Sequence, residues 1–578
     1  MHYTSIENIH KAIDPLFLDG LKAEYAGCLE EKNAKKRLAR LHALQDRMAS
    51  LRFLDPACGS GNFLTETYLS LRRLENEIIK QIYSVEQLDA FDNPIKVSIH
   101  QFYGIEINDF AVTVATTALW ISEAQMMAET ERIIKHDIDF LPLKSYANIH
   151  EGNSLRIDWE EVCPKAELDY IIGNPPFVGR RYRSQEQTED VAIFFNYKDI
   201  DYVACWYKKA DSFIQGTPIR CAFVSTNSIT QGEQVPALWR NMRSHINFAY
   251  RTFRWDSEAN QKAHVYCVII GFGAESLPVK KLYDGGRVCI CKNINGYLID
   301  APNVYVSLRS TPLCDVPPMR NGNVPLDGDA LKVEAEDVKH FADCKHLLRR
   351  LIGGRELLHS EPRYVLWLVG VSPSEIKKYP RVYERVNRCH ENRLAMKDKG
   401  TRKLADTPTT FRDTNNPSDY IALPMVSSEK RKYLPMDYFH ADTIPTNQVQ
   451  IIPSATLYHF GILESNVHMA WMRAVCGRLK SDYRYSKDVV YNNFPWPSPT
   501  AEQQQRIEQT AQAILNARKL YPDSSLADLY DPTLMPKELL LAHRQNDRAV
   551  MAAYGFPTKM TESECVAELF KRYAEMTV

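Results

Sequence analysis

The 578 residues hold 71 Lys and Arg against 72 Asp and Glu, giving a formal net charge of -1, and 44% of them are apolar. That length exceeds what one hydrophobic core organises, so two or three domains are expected, and the composition excludes disordered, fibrous and small disulfide-framed classes. It also excludes a chain coated in positive charge, though not a local basic surface.

No apolar stretch approaches the length of a spanning helix, and residues 1–21 lack the layout of a secretory signal. A cytoplasmic protein with no membrane partner is therefore expected. The 13 cysteines form no CxxC pairs, which points to reduced, mostly buried thiols and no metal site.

Residues 1–51 predict a helical lead-in, with apolar residues at helical spacing around a basic run from Lys32 to Arg40. Over 52–273, short apolar runs ending in small or acidic residues alternate with amphipathic stretches, the pattern of a mostly parallel sheet covered by helices. Residues 274–345 are rich in Pro, Gly and Asn and read as a connector. Residues 346–495 mix aromatic, basic and turn residues, which suits an irregular α+β module presenting loops. After NNFPWPSP, residues 496–578 are polar and strongly helical.

The run LRFLDPACGSGNFL carries a strand into Asp55, then a turn of Pro56, Ala57, Cys58, Gly59, Ser60 and Gly61, and then a helix opening at Asn62 and Phe63. Glycines let the backbone approach a ligand closely, and the helix start offers N–H groups to a carboxylate or phosphate. Asp55 is placed to hold a ligand ammonium. The next strand signal, QFYGIEIN, ends in Glu106 followed by Ile107. An acid at that strand end can accept both hydroxyls of a ribose, the alternative being a surface acid. A third strand end places Asn153 and Ser154 where contacts to an adenine ring would lie, and ordinary turn chemistry also fits them.

In LDYIIGNPPFVGRR a buried-looking strand runs into Asn174, Pro175, Pro176 and Phe177. An amine conjugated to a base ring is a poor nucleophile, so its hydrogens must be accepted and its lone pair turned towards an electrophile. The Asn174 side-chain carbonyl and the Pro175 backbone carbonyl can do this while Phe177 stacks on the base.

These motifs resemble DPxxGxG and NPPF/Y of the amino-methylating DNA methyltransferases, in the gamma order. Longer runs, among them LDPACGSGNFL, GNPPFVG, YIALPMVSSEKRKYLP and HMAWMRAVCGRLKSDYRYS, are similar to the MmeI-like (type IIG/IIL) restriction-modification enzymes. The resemblance implies a Rossmann-like class I α/β domain, an α+β target-recognition domain over 346–495 and a helical C-terminal region. It also implies S-adenosylmethionine as methyl donor, touched by Asn174 as well, and adenine N6 in double-stranded DNA as acceptor, reached by base flipping, in restriction-modification or phage defence. N4 methylation of cytosine is the nearest rival, disfavoured by Asn rather than Ser at 174. A non-catalytic specificity subunit with this fold is a further alternative. Members of that family usually begin with a nuclease domain, whereas only residues 1–51 precede the cofactor-loop strand. Methylation without cleavage is thus expected of this polypeptide, with a separate nuclease or defence subunit as a conceivable partner.

Candidate DNA contacts are Arg180, Arg181 and Arg183 after the catalytic turn, Lys430 and Arg431, and Arg478, Lys480, Tyr483, Arg484 and Tyr485. Each of the charged residues fits a solvated face equally well. Trp255, in FRWDSEANQKAHVYCVIIGF, is read either as a second wall for a flipped base or as a core tryptophan.

Overall fold

A computed structural model describes residues 4–84, 93–135, 148–255 and 265–577. The chain forms two compact units, one of Met1–Thr230 with Gln234–Tyr305, the other of Gln231–Glu233 with Val306–Val578. No described helix is long and apolar enough to cross a membrane.

Among the described residues, the first unit is built on nine strands: β1 (Phe53–Asp55), β2 (Phe102–Glu106), β3 (Asn148–Glu151), β4 (Tyr170–Gly173), β5 (Arg220–Thr226), β6 (His245–Trp255), β7 (Val265–Gly273), β8 (Lys280–Asp284) and β9 (Arg287–Cys291). They lie in the order β3-β2-β1-β4-β5-β7-β6-β8-β9. The first five in space are mutually parallel, while β7 runs antiparallel to both β5 and β6. Parallel neighbours need crossovers. Helices α4 (Asn62–Tyr83) and α5 (Asp109–Ile134), the single turn α6 (Trp159–Val162), and α7 (Gln185–Phe194) with α8 (Ala204–Phe213) lie along the chain between successive parallel strands.

The N-terminal residues form α1 (Ile6–Ile13), a π-helical turn Asp14–Leu18, α2 (Asp19–Leu29) and α3 (Ala34–Ser50). They complete the core of this unit. The Phe17 ring lies 5.1 Å from Phe53 on β1 and 5.0 Å from Tyr170 on β4. A buried Arg72–Glu75 ion pair on α4 takes in Gln45 of α3 and Thr130 of α5, so the helices are tied by polar groups as well as by packing.

The stretch expected as a connector, 274–345, is shared between the units. Its first part is the hairpin β8–β9, which extends the sheet through a turn in which Gly285 and Gly286 both have positive φ, 52° and 84°. Two successive residues of that kind suit the tight turns that match strand twist. From Val306 onward the chain belongs to the second unit.

The second unit carries three small sheets. One joins Arg320–Asn321, Val449–Pro453, Asp419–Pro424 and Asp437–His440, and another joins Lys332–Glu334, Arg363–Leu366, Leu348–Ile352 and Thr443–Pro445. The third is Val426–Ser427 with the hairpin Gly477–Leu479 and Asp482–Arg484. The end of the chain is helical over Ala501–Arg518, Lys537–Tyr554 and Glu562–Thr577. Here Arg518 donates to the Glu464 carboxylate and the Tyr530 hydroxyl, which also meets His543 at 2.9 Å, all four being buried.

Candidate active site

A cavity of about 530 Å³ opens beyond the carboxyl ends of β1, β2, β3 and β4. This is where open α/β sheets place ligands. Asp55, Glu106, Asn153 and Asn174 each stand at or just past one of these strand ends and all line the cavity.

At the end of β1, Asp55 is buried and accepts the Ala57 N–H at 3.0 Å. Burial, with the Glu106 carboxylate nearby, pushes its carboxyl up to about 8. Its room comes from Gly173 on the adjacent β4, where a Cβ would sit 2.4 Å from Asp55 Oδ1. Gly59 and Gly61 have φ of 55° and 83°, and a Cβ at Gly61 would meet α5 at Ala115, 3.1 Å away. Pro56, Ala57, Cys58, Gly59, Ser60, Asn62 and Phe63 line the cavity; Gly61 lies behind the turn instead. There it closes the turn by donating to Cys58 O at 2.8 Å, immediately before α4 begins.

Glu106 ties the loop to the second strand, accepting Gly59 N–H at 2.9 Å and Asn108 N–H at 3.0 Å. Each oxygen keeps a second acceptor site. Ile107 is exposed at the cavity rim. Asn153 donates to Asp190 at 3.1 Å and accepts Leu155 N–H, while Ser154 Oγ accepts Trp159 Nε1 at 3.1 Å. Both residues line the cavity, but their side chains are engaged in holding the loop.

Past β4, Asn174 Nδ2 donates to Thr4 Oγ1 at 3.1 Å, and its Oδ1 is buried with no hydrogen-bond partner. Pro175, Pro176 and Phe177 continue the cavity wall. The turn is held from behind, because Val178 N–H donates to the buried Asp201 at 3.1 Å and Val178 O accepts Tyr202 N–H. An unsatisfied buried acceptor calls for an explanation, and the cavity beside this one leaves room for a donor.

Several lining residues escape sequence reading. Asp190 accepts from Asn153, Arg156 and Tyr202. Trp206 Nε1 donates to Pro56 O at 3.1 Å and so braces the loop. Thr4 comes from the first residues of the sequence. Nothing in local sequence marks these residues, since they reach the cavity from helices and from a remote segment.

The expected DNA contacts divide by burial. Arg180 is exposed and paired with Asp199, Arg181 is exposed, and Arg183 donates to Lys198 O. Lys430, Lys480 and Arg484 are exposed, whereas Arg431 is half-buried, with its ionisation pushed down by desolvation. Arg478 pairs with Glu429 and lies over the Tyr483 ring at 4.2 Å. Two expectations are corrected: Tyr483 is packed beneath Arg478, and Tyr485 is buried with its hydroxyl 3.0 Å from His468. Of the two readings of Trp255, the structure shows the core one, beside Phe253, and not the open wall. The apolar surface of all three is spent on packing, leaving none to present to DNA. Of the stretch containing Trp255, residues 256–264 lie outside the described residues.

The strand order, the loop after β1, the acid ending β2 and the Asn-Pro-Pro-Phe turn after β4 together define a Rossmann-like methyltransferase domain. Family models match along the chain: the MmeI DNA-methyltransferase domain over residues 29–284, the MmeI target recognition domain over 300–498 and the MmeI C-terminal domain over 499–578. The solved Type IIL restriction-modification enzyme MmeI in complex with DNA is similar at 42% identity and a TM-score of 0.89, covering 100% of this chain and 79% of that one. DNA methyltransferase A of Bacillus subtilis (strain 168) is 40% identical, and the chain spans 66% of that relative's length. The chain belongs to the MmeI family of restriction-modification DNA methyltransferases.

Proposed function

We propose that this chain transfers a methyl group from S-adenosylmethionine to N6 of an adenine flipped out of duplex DNA, at a site chosen by the target recognition domain. The observation that carries the reading is the buried, unpartnered Asn174 Oδ1 beside the cavity.

The lining residues fit the methyl donor. Asp55 offers a carboxylate to its ammonium, the turn before α4 offers N–H groups to its carboxylate, and Glu106 offers free acceptor sites to its ribose. Ile107 supplies an apolar contact to its base, with Asn153 and Ser154 on the facing loop. When bound there, the donor supplies an electrophilic methyl on a sulfonium. Asn174 Oδ1 then accepts one N6 hydrogen and the Pro175 carbonyl the other, drawing the nitrogen lone pair out of conjugation towards the methyl. Phe177 stacks on the base and replaces the neighbours it lost. Desolvation strengthens both hydrogen bonds.

Mapping modified bases in DNA from cells expressing the chain tests the reading. N6-methyladenine at a defined site is expected, and N4-methylcytosine or an absence of modification overturns it. Asn174→Ala should lower methyl transfer by about 100- to 1,000-fold, in line with loss of a preorganised hydrogen-bonding group, while calorimetry finds cofactor binding largely retained.

A further inference from the structure

Thr4 lies outside residues 29–284, the span matched by the methyltransferase family model, yet its hydroxyl meets the Asn174 amide at the cavity wall. It is 3% exposed and stands just before Ser5, the residue that opens α1. Its position is fixed from below. Ile9 and Ile13 of α1 are buried, and Phe17 packs on Tyr170, the first residue of the strand that delivers Asn174. One packed segment therefore sets both ends of the Thr4–Asn174 hydrogen bond.

We propose that Thr4 is a positioning residue for methyl transfer: its hydroxyl, hydrogen-bonded to Asn174 Nδ2, anchors the amide at the cavity wall and so holds Oδ1 in place as the acceptor for the substrate amine. A side chain without an oxygen at position 4 leaves Nδ2 unpaired and the amide free to rotate. This inference rests on the catalytic role proposed for Asn174.

The test uses the full chain with Thr4→Val, Thr4→Ala and Thr4→Ser, measured by single-turnover methylation of unmethylated bacterial genomic DNA at saturating S-adenosylmethionine. Calorimetric affinity for S-adenosylmethionine alone and thermal unfolding are measured alongside. Thr4→Val should slow the methyl-transfer step by about 10- to 100-fold, the scale on which misplacing a reacting group lowers rate. Cofactor affinity should stay within about threefold, which is under 1 kcal/mol. Thr4→Ser, which keeps the oxygen, should restore the rate to near that of the unaltered chain. Thr4→Ala replaces Thr4→Val if the latter fails to fold. A normal rate in Thr4→Val, a rate in Thr4→Ser as low as in Thr4→Val, or a loss of cofactor affinity with a normal rate at saturation each overturns the proposal. Asn174→Ala run in parallel separates the failures: if it still turns over, the role of Asn174 is wrong; if it is inactive while Thr4→Val is normal, only the role of Thr4 is wrong.

Discussion

Asp55 in the first unit and Glu464 in the second are both buried carboxyl groups, and burial pushes both up, to about 8 and about 7. Their surroundings differ. Glu464 meets a guanidinium from Arg518 and the Tyr530 hydroxyl, with His543 behind, so its charge is matched inside the protein. Asp55 has one backbone donor, a repelling Glu106 and an open cavity in front. A buried carboxyl matched by cations serves as scaffold, whereas one that faces an open cavity without a counter-charge has room for a ligand cation.

The sharpest way to break this comparison is by substitution. Glu464→Ala should cost up to about 3–5 kcal/mol of stability by leaving the buried Arg518 only the more distant Asp437 carboxylate, at 3.9 Å, read by denaturant unfolding. Asp55→Asn should behave in the opposite sense. A carboxyl raised in the folded state weakens folding as pH climbs from its ordinary value towards about 8, so at pH 8 the variant should be as stable as the unaltered chain or more so. It should nevertheless lose S-adenosylmethionine binding. Comparable destabilisation by both substitutions would erase the distinction.

A subtler consequence appears in calorimetry. With its carboxyl at about 8, Asp55 is mostly protonated at pH 7, and pairing with a ligand ammonium requires the carboxylate. Binding of S-adenosylmethionine at pH 7 should thus release protons, seen as a dependence of the heat on buffer ionisation enthalpy, and the release should give way to uptake above pH 9, where the free ligand's α-amine, with a pKa of about 8, must be protonated to pair. The smallest effect concerns the exposed cations of the second unit. Lys480→Ala or Arg484→Ala should each lower the salt dependence of DNA affinity by about one unit of slope. Tyr485→Phe, at a buried site, should leave that slope unchanged.

The cofactor loop and the catalytic turn are legible in the sequence because each is a local event: an apolar strand running into a turn of small or imino residues. Glu106 is readable as the last residue of a strand. Thr4, Asp190, Tyr202 and Trp206 are not, since they reach the cavity through tertiary packing that no spacing rule encodes. Two further features do carry local signals. Tyr483 and Tyr485 flank Arg484 at alternate positions, and strand periodicity puts both tyrosines on one face, inward, with the arginine outward. The Gly285–Gly286 pair between short apolar runs marks a hairpin, where Pro and Gly content suggests a connector.

The missing side chain at Gly173 couples two signatures far apart in the chain. Since any β-carbon there would strike the Asp55 carboxylate on the neighbouring strand, position 173 stays bare for as long as position 55 is acidic. A random library varying both sites should return glycine paired with aspartate among functional clones, and larger residues at 173 only where 55 has shrunk and donor affinity has been given up.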